Sequence, residues 1–232
     1  VVKNNYLISV FSYRLTDPTK KPADISYQSE LKRKVLHLLA LIIPFCIYYL
    51  DKEKSLWILI PLSTLALILE VARVRSKAIS DLIYKLVGPL MRDEEKTALG
   101  SPVVINGASW VMLSATLLTI IFPVYIVCAS LSMFILGDAA AALIGRKFGK
   151  MHWPGSPKTI EGSIAFFLVA GVTLIWFNVL PWYVALIVSC TAMLLEVIPL
   201  PFNDNVRVPL LTGLFIYGIE YVFGNTQPSL FF

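Results

Sequence analysis

Five short stretches of this chain gather ionisable side chains beside long apolar runs: Glu30 to His37, Glu70 to Arg73, Asp138 to Lys150, Pro154 to Ser163, and Glu196 to Arg207. A charge left facing lipid costs several kcal/mol, so each group needs a reason to be there. Snorkelling and topology-setting charges account for single Lys and Arg residues. They do not account for loops that also hold carboxylates, glycines and a helix start. In Gly137-Asp138-Ala139-Ala140-Ala141-Ala142-Leu143-Ile144-Gly145-Arg146-Lys147-Phe148-Gly149-Lys150 the small residues suit close helix packing without any ligand. Packing leaves Asp138 unexplained. A carboxylate one or two turns from Arg146, Lys147 and Lys150 is suited to hold a divalent cation whose other ligands are phosphate oxygens.

In Pro154-Gly155-Ser156-Pro157-Lys158-Thr159-Ile160-Glu161-Gly162-Ser163, Ser156 before Pro157 predicts an N-cap followed by proline at the first helical position. The free N–H groups of that helix, with Lys158 as a point charge, suit a phosphate; a capped helix start with an incidental lysine is the plainer alternative. No Gly-x-x-x-x-Gly-Lys-Ser/Thr loop is present. Asp204 and Asn205 offer oxygen ligands of the kind magnesium accepts, and Asn203-Asp204-Asn205 is equally ordinary turn chemistry. Arg33 and His37, four apart, share a helix face. Glu70 and Arg73 read as an interfacial ion pair, and Asn106 as a polar group inside a span.

The elements that must position these residues follow from composition. Of 232 residues, 57% are hydrophobic and 15% charged, against about 45–50% and about 25% in soluble domains. Mean hydropathy is +0.73. The reading is all-α: a polytopic integral membrane protein with about seven transmembrane helices. Spans are expected at 35–50, 55–72, 103–121, 124–144, 161–178, 182–198 and 206–223, with breaks at Phe122-Pro123, at Asn178 to Trp182, and at Pro199 and Pro201. On that path eighteen Lys and Arg fall on one side and only Lys52 and Lys54 on the other, which puts the N-terminus in the cytoplasm and all five charged stretches on the cytoplasmic face. Residues 1–30 form a cytoplasmic or interfacial segment, with only the short apolar patch Leu7–Phe11 and no cleavable leader expected; residues 31–232 form the membrane-embedded domain. Ala78–Met91 reads as an amphipathic interfacial helix. Cys46, Cys128 and Cys190 lie far apart in apolar stretches, without zinc or disulfide spacing. The charge of +5 sits between spans, and no basic face with interleaved aromatics supports nucleic-acid binding.

The ordered blocks resemble a known family, the CTP-dependent lipid-alcohol kinases, which include dolichol kinase, phytol kinase and the CTP-type diacylglycerol kinase. The likeness rests on Glu30, Arg33, Lys34 and His37; on Gly137 to Lys150; on Pro154 to Ser163; and on Asp204, Asn205 and Pro209. It implies transfer of the terminal phosphate of CTP, with Mg2+, to the hydroxyl of a membrane lipid: a polyprenol such as dolichol, phytol or diacylglycerol. It implies an active site on the cytoplasmic face, in the plasma membrane of a prokaryote or the endoplasmic reticulum of a eukaryote. Carried over, the catalytic set is Asp138, Arg33, Lys34, His37 and Asp204. The nucleotide set is Gly145, Arg146, Gly149, Lys150, Ser156, Lys158, Thr159, Glu161, Gly162 and Asn205. The metal ligands are Asp138 and Asp204. Asp138, Asp204, Glu196 and His37 are the candidate proton acceptors. The middle blocks are also similar to phosphatidate cytidylyltransferase, in which phosphatidate attacks the α-phosphorus; that family's Pro-Gly-His-Gly-Gly run and Asp-Arg pair are missing here. A small transporter is the remaining alternative, although transporter sites lie near the bilayer midplane rather than at one set of helix ends.

Overall fold

The computed structural model describes residues 27–88, 91, 95–198 and 202–223. Most of the expected N-terminal segment lies outside these residues, as do Lys3, Arg14, Lys20, Lys21, Arg92, and the break at Pro199 and Pro201. The described residues form eight helices: α1 (Tyr27–Leu39), α2 (Ile42–Arg75), α3 (Lys77–Val87), α4 (Gly107–Ile121), α5 (Val124–Phe148), α6 (Ile160–Phe177), α7 (Trp182–Val197) and α8 (Asp204–Phe223).

Local chemistry sets most of their ends. Pro123 and Pro181, whose missing N–H costs nothing at a helix start, open α5 and α7. Asn178, in the left-handed region at φ 50°, closes α6. The spans expected at 35–50 and 55–72 reverse at Asp51, whose φ of 63° and ψ of 173° interrupt α2. Before the reversal, Lys34 pairs with Asp138 and the Cys128 thiol donates to Pro44 O; at the reversal itself Lys52 reaches Phe122 O. Beyond it, Ser63 and Thr116 share a hydroxyl hydrogen bond of 2.6 Å, and Glu70 reaches Ser109. α3 covers most of the amphipathic helix expected at Ala78–Met91, with Leu82 and Leu86 exposed.

Two of the expected assignments change. Ser156 is not the N-cap of α6. Thr159 is, its hydroxyl accepting from Gly162 N at 3.2 Å, while Ser156 Oγ accepts from Lys158 N in the turn before it. Asn106 lies not inside a span but at the start of α4, accepting from Ser109 N at 2.9 Å.

α5 is the axis of the bundle, its residues Ile126 to Ile135 wholly buried. Around it α1 and α6 run antiparallel, and α6, α7 and α8 alternate in direction. One face of each of α2, α6 and α8 turns apolar side chains outward, among them Ile68, Leu168, Val172 and Leu214. In water that surface would be a liability; in hydrocarbon it costs nothing. Among the described residues three stretches are long and apolar enough to cross a membrane: Glu30–Arg75, Val124–Phe148 and Ile160–Phe177. Gly107–Ile121 and Trp182–Val197 are apolar but shorter; at 1.5 Å per residue they span about 22–24 Å of a core about 30 Å thick. The two ends of the bundle differ. One carries exposed Tyr49, Trp57, Trp176, Trp182 and Tyr221, a set of aromatics of the kind found at membrane interfaces, together with the charged run 51–54. The other carries most of the remaining charges.

Candidate active site at the ionic end of the bundle

Two ion-paired groups meet at the charged end. In the first, α1 lays Glu30, Arg33, Lys34 and His37 along the face it turns to α5. Lys34 Nζ donates to Asp138 Oδ2, and His37 Nε2 stands 3.2 Å from the same oxygen. The His37 ring meets Phe134 edge-on, one helical turn below Asp138. Glu30, 1% exposed, accepts from Arg33 at 2.6 Å and lies 3.5 Å from Arg146 Nε. The cations that meet Asp138 come from α1, whereas Arg146, Lys147 and Lys150, further along the chain at the end of α5 and just beyond it, are exposed.

The second group is built on the turn 152–159, which doubles back through a bridge between His152 and Thr159, with Gly155 at φ 71°. This turn delivers Lys158 between α7 and α8, where its ammonium meets Glu196 Oε1 at 2.5 Å, Asp204 Oδ2 at 2.9 Å and the carbonyl of Glu196. Burial alone would lower the Lys158 pKa, but the two carboxylates outweigh it and hold the group above its ordinary value. Arg207, 5% exposed, donates to Asp204 Oδ1 at 2.6 Å and to Leu195 O at 2.8 Å, tying the end of α7 to the start of α8. Thr159, next to Lys158, packs against Gly145, two turns along α5 from Asp138, so the two groups lie at the same end of the bundle.

The glycines have a different task. A Cβ on Gly145 would stand 2.7 Å from Thr159 Oγ1, and one on Gly162 would stand 2.7 Å from Ala141 O. Gly145, Gly149 and Gly162 therefore let α5 and α6 cross closely and carry the turn against the bundle. Glu161 accepts from Lys150 N at 2.9 Å and from Met151 N, securing the far side of the same turn. Asn205 Nδ2 donates to Gly107 O at 3.3 Å. The expected site residues thus fall at one end in two layers: Arg33, Lys34, His37, Asp138, Lys158 and Asp204 in the basin, and Gly145, Gly149, Ser156, Thr159, Glu161, Gly162 and Asn205 in its frame.

Glu30 and Arg207 stood in charged stretches but outside the expected set. Their spacing was the signal, since Glu30 with Arg33 and Asp204 with Arg207 are i,i+3 pairs that meet on a helix. Glu70 and Arg73, expected as an interfacial pair, are buried: Arg73 is 0% exposed, donating to Glu70, to Glu95 O and to Val104 O, each at 2.7 Å. They pin the segment before α4.

No group of three or more His, Cys, Asp and Glu able to hold a metal by themselves occurs among the described residues. Magnesium does not need one, because it takes one or two carboxylates and completes its shell with phosphate oxygens and water. Asp138 fits that role, as both its cationic contacts fall on Oδ2. Asp204 fits less simply: each of its oxygens already meets a cation.

The fold and its charged end define an all-helical bundle suited to a membrane, with a basin of opposed acids and bases at one set of helix ends. No protein-family model matches the chain, and no solved structure does so significantly. The chain is 29% identical over 191 residues to an uncharacterised protein of Rickettsia prowazekii, covering 79% of this chain and 91% of that one. It is 31% identical over 157 residues to CTP-dependent diacylglycerol kinase 1 of Schizosaccharomyces pombe, covering 63% of this chain and 66% of that protein. With the enzyme of that name from Saccharomyces cerevisiae the identity is 30% over 153 residues, 65% of this chain and 51% of the relative. The matches thus span about two thirds and about half of the two yeast kinases. Relatives named dolichol kinase and probable phytol kinase match over shorter stretches. These relatives support the CTP-dependent lipid kinase family for this chain.

Proposed function

We propose that this chain is an integral membrane phosphotransferase that moves the γ-phosphate of CTP to the hydroxyl of a membrane lipid alcohol. The observation that carries the reading is the convergence of Lys34, Asp138, Lys158 and Asp204, from four separate segments, at one end of an otherwise apolar bundle. Kinase-named relatives support the class of reaction. The bundle crosses the bilayer about seven times, with the N-terminus and the ionic end in the cytoplasm, as the eighteen-to-two division of basic residues favours.

Without nucleotide the basin is self-neutralised by ion pairs. Entry of a triphosphate offers Lys34, Lys158 and the exposed Arg146 and Lys150 a stronger anion, and releases Asp138. Asp138, joined by Asp204, would hold Mg2+, which when bound would neutralise charge on the triphosphate. Lys34 and Lys158 then stabilise the charge spreading over the transferring group, while the frame around Thr159 and Gly162 fixes its position. The lipid hydroxyl enters from the bilayer beside α1, whose outer face exposes Val35, Leu36 and Leu39. Its proton passes to a basin group, with Asp138 and His37 standing nearest that face.

The test is product analysis. Purified protein is incubated with CTP labelled at the α or the γ phosphorus, in micelles containing diacylglycerol, dolichol, phytol or phosphatidate. γ-Label in a lipid alcohol is the expected result. α-Label in lipid assigns cytidylyl transfer instead, and no label in any lipid rejects both enzymatic readings.

A further inference from the structure

Glu30 is the most deeply buried carboxylate of the ionic end among the described residues, at 1% exposure, yet only one of its two oxygens takes a hydrogen bond there. Oε1 takes a 2.6 Å hydrogen bond from Arg33, whereas Oε2 lies 3.5 Å from Arg146 Nε and accepts no hydrogen bond. A carboxylate buried for stability alone would be expected to fill both oxygens, because a half-satisfied ionic network is worse than an apolar one. Its two arginines come from different helices, the first turns of α1 and the last turn of α5, and remain 23% and 36% exposed. Next to Arg33 on α1, Lys34 pairs with Asp138. Glu30 therefore lies behind a pair of partly exposed guanidinium groups at the edge of the basin. Each guanidinium is a planar fork of N–H donors whose geometry matches phosphate.

We propose that Glu30 is a positioning residue that holds Arg33 and Arg146 as paired forks gripping the outer phosphates of the nucleotide. The proposal rests on the phosphotransfer reading and adds to it the element that binds the polyphosphate. Glu30 touches no substrate; it acts through the arginines. Loss of its charge frees both forks, which weakens nucleotide binding in ground state and transition state alike and leaves the chemical step intact.

The test compares the parent with Glu30→Gln, which keeps the shape and removes the charge, and with Arg146→Lys, which keeps the charge and removes the fork at an exposed position. Glu30→Gln is expected to raise KM for CTP about tenfold, with kcat and the lipid KM within about twofold. Arg146→Lys raises KM for CTP as well, and the double variant adds little to either single change. Calorimetric binding of inorganic tripolyphosphate runs in parallel, weakening about tenfold in each variant. An unchanged CTP KM, a fall in kcat alone, or full additivity overturns the clamp. If Glu30→Gln does not fold, Arg146→Lys decides by the same KM criterion. A parent that binds tripolyphosphate through Glu30 and Arg146 but phosphorylates no lipid rejects the phosphotransfer reading and leaves the clamp standing; a parent that does not bind it rejects the clamp.

Discussion

At Asp138 a single carboxylate oxygen faces both Lys34 and His37, and the lysine sits 104 residues earlier in the chain. No spacing rule reaches that far, so the sequence marked Asp138 as a metal ligand without naming a partner for it on α1. The local pairs were legible, since i,i+3 residues of opposite charge meet on any helix; pairs across the bundle depend on how α1 docks. Lys158 shows what such docking does to a charge. Held by Glu196 and Asp204, its folded pKa lies above its ordinary value. A raised pKa contributes stability fully below the unfolded value and loses it only as pH climbs through the folded one. Replacing Lys158 with Met should therefore lower the thermal midpoint by the same amount at pH 7 and at about pH 9. A loss that shrinks across that range in circular-dichroism melts would mean the carboxylates do not outweigh burial.

Among elements, the crossing of α5 and α6 is the tightest joint and the one that carries the turn bearing Lys158. Gly162→Ala drives a methyl group to 2.7 Å from Ala141 O and 3.2 Å from the Cα of Gly145, so the helices must separate. Overpacking of this kind costs about 1–3 kcal/mol. The expected outcome is a lower midpoint in detergent, with activity lost at temperatures where the protein is still folded, because Lys158 shifts with the turn. The Glu70–Arg73 pair anchors the segment before α4 in the same sense. Arg73→Ala leaves a buried carboxylate uncompensated, at a cost of about 3–5 kcal/mol, and thermal denaturation should register it whether or not CTP is present. Helix ends at Pro123, Asn178 and Pro181 were readable because their signals are local. The cap of α6 was not: Ser156-Pro157 and Thr159 carry equally good local signals, and the bridge between His152 and Thr159 decides between them by folding the earlier residues into a turn.

For the whole molecule, the division of charges predicted one functional face, and the helices do bring Asp138 and Lys158 to one end. The length of a span was readable from hydropathy; the reversal at Asp51 was signalled only by the charged run 51–54. A seven-pass path makes a plain prediction. With the native cysteines replaced, a cysteine at Glu53 should react in intact cells with a membrane-impermeant thiol reagent, and one at Lys150 only after the cells are opened. Equal labelling from one side would refute the path. The central claim is phosphoryl transfer at the ionic end, and single-turnover transfer from γ-labelled CTP by the parent and by Asp138→Asn, in vesicles holding the acceptor lipids, tests it most directly. The account predicts γ-label in lipid with the parent and a rate at least about a hundredfold lower with the variant, at unchanged helix content. Transfer by Asp138→Asn within a few-fold of the parent would contradict it.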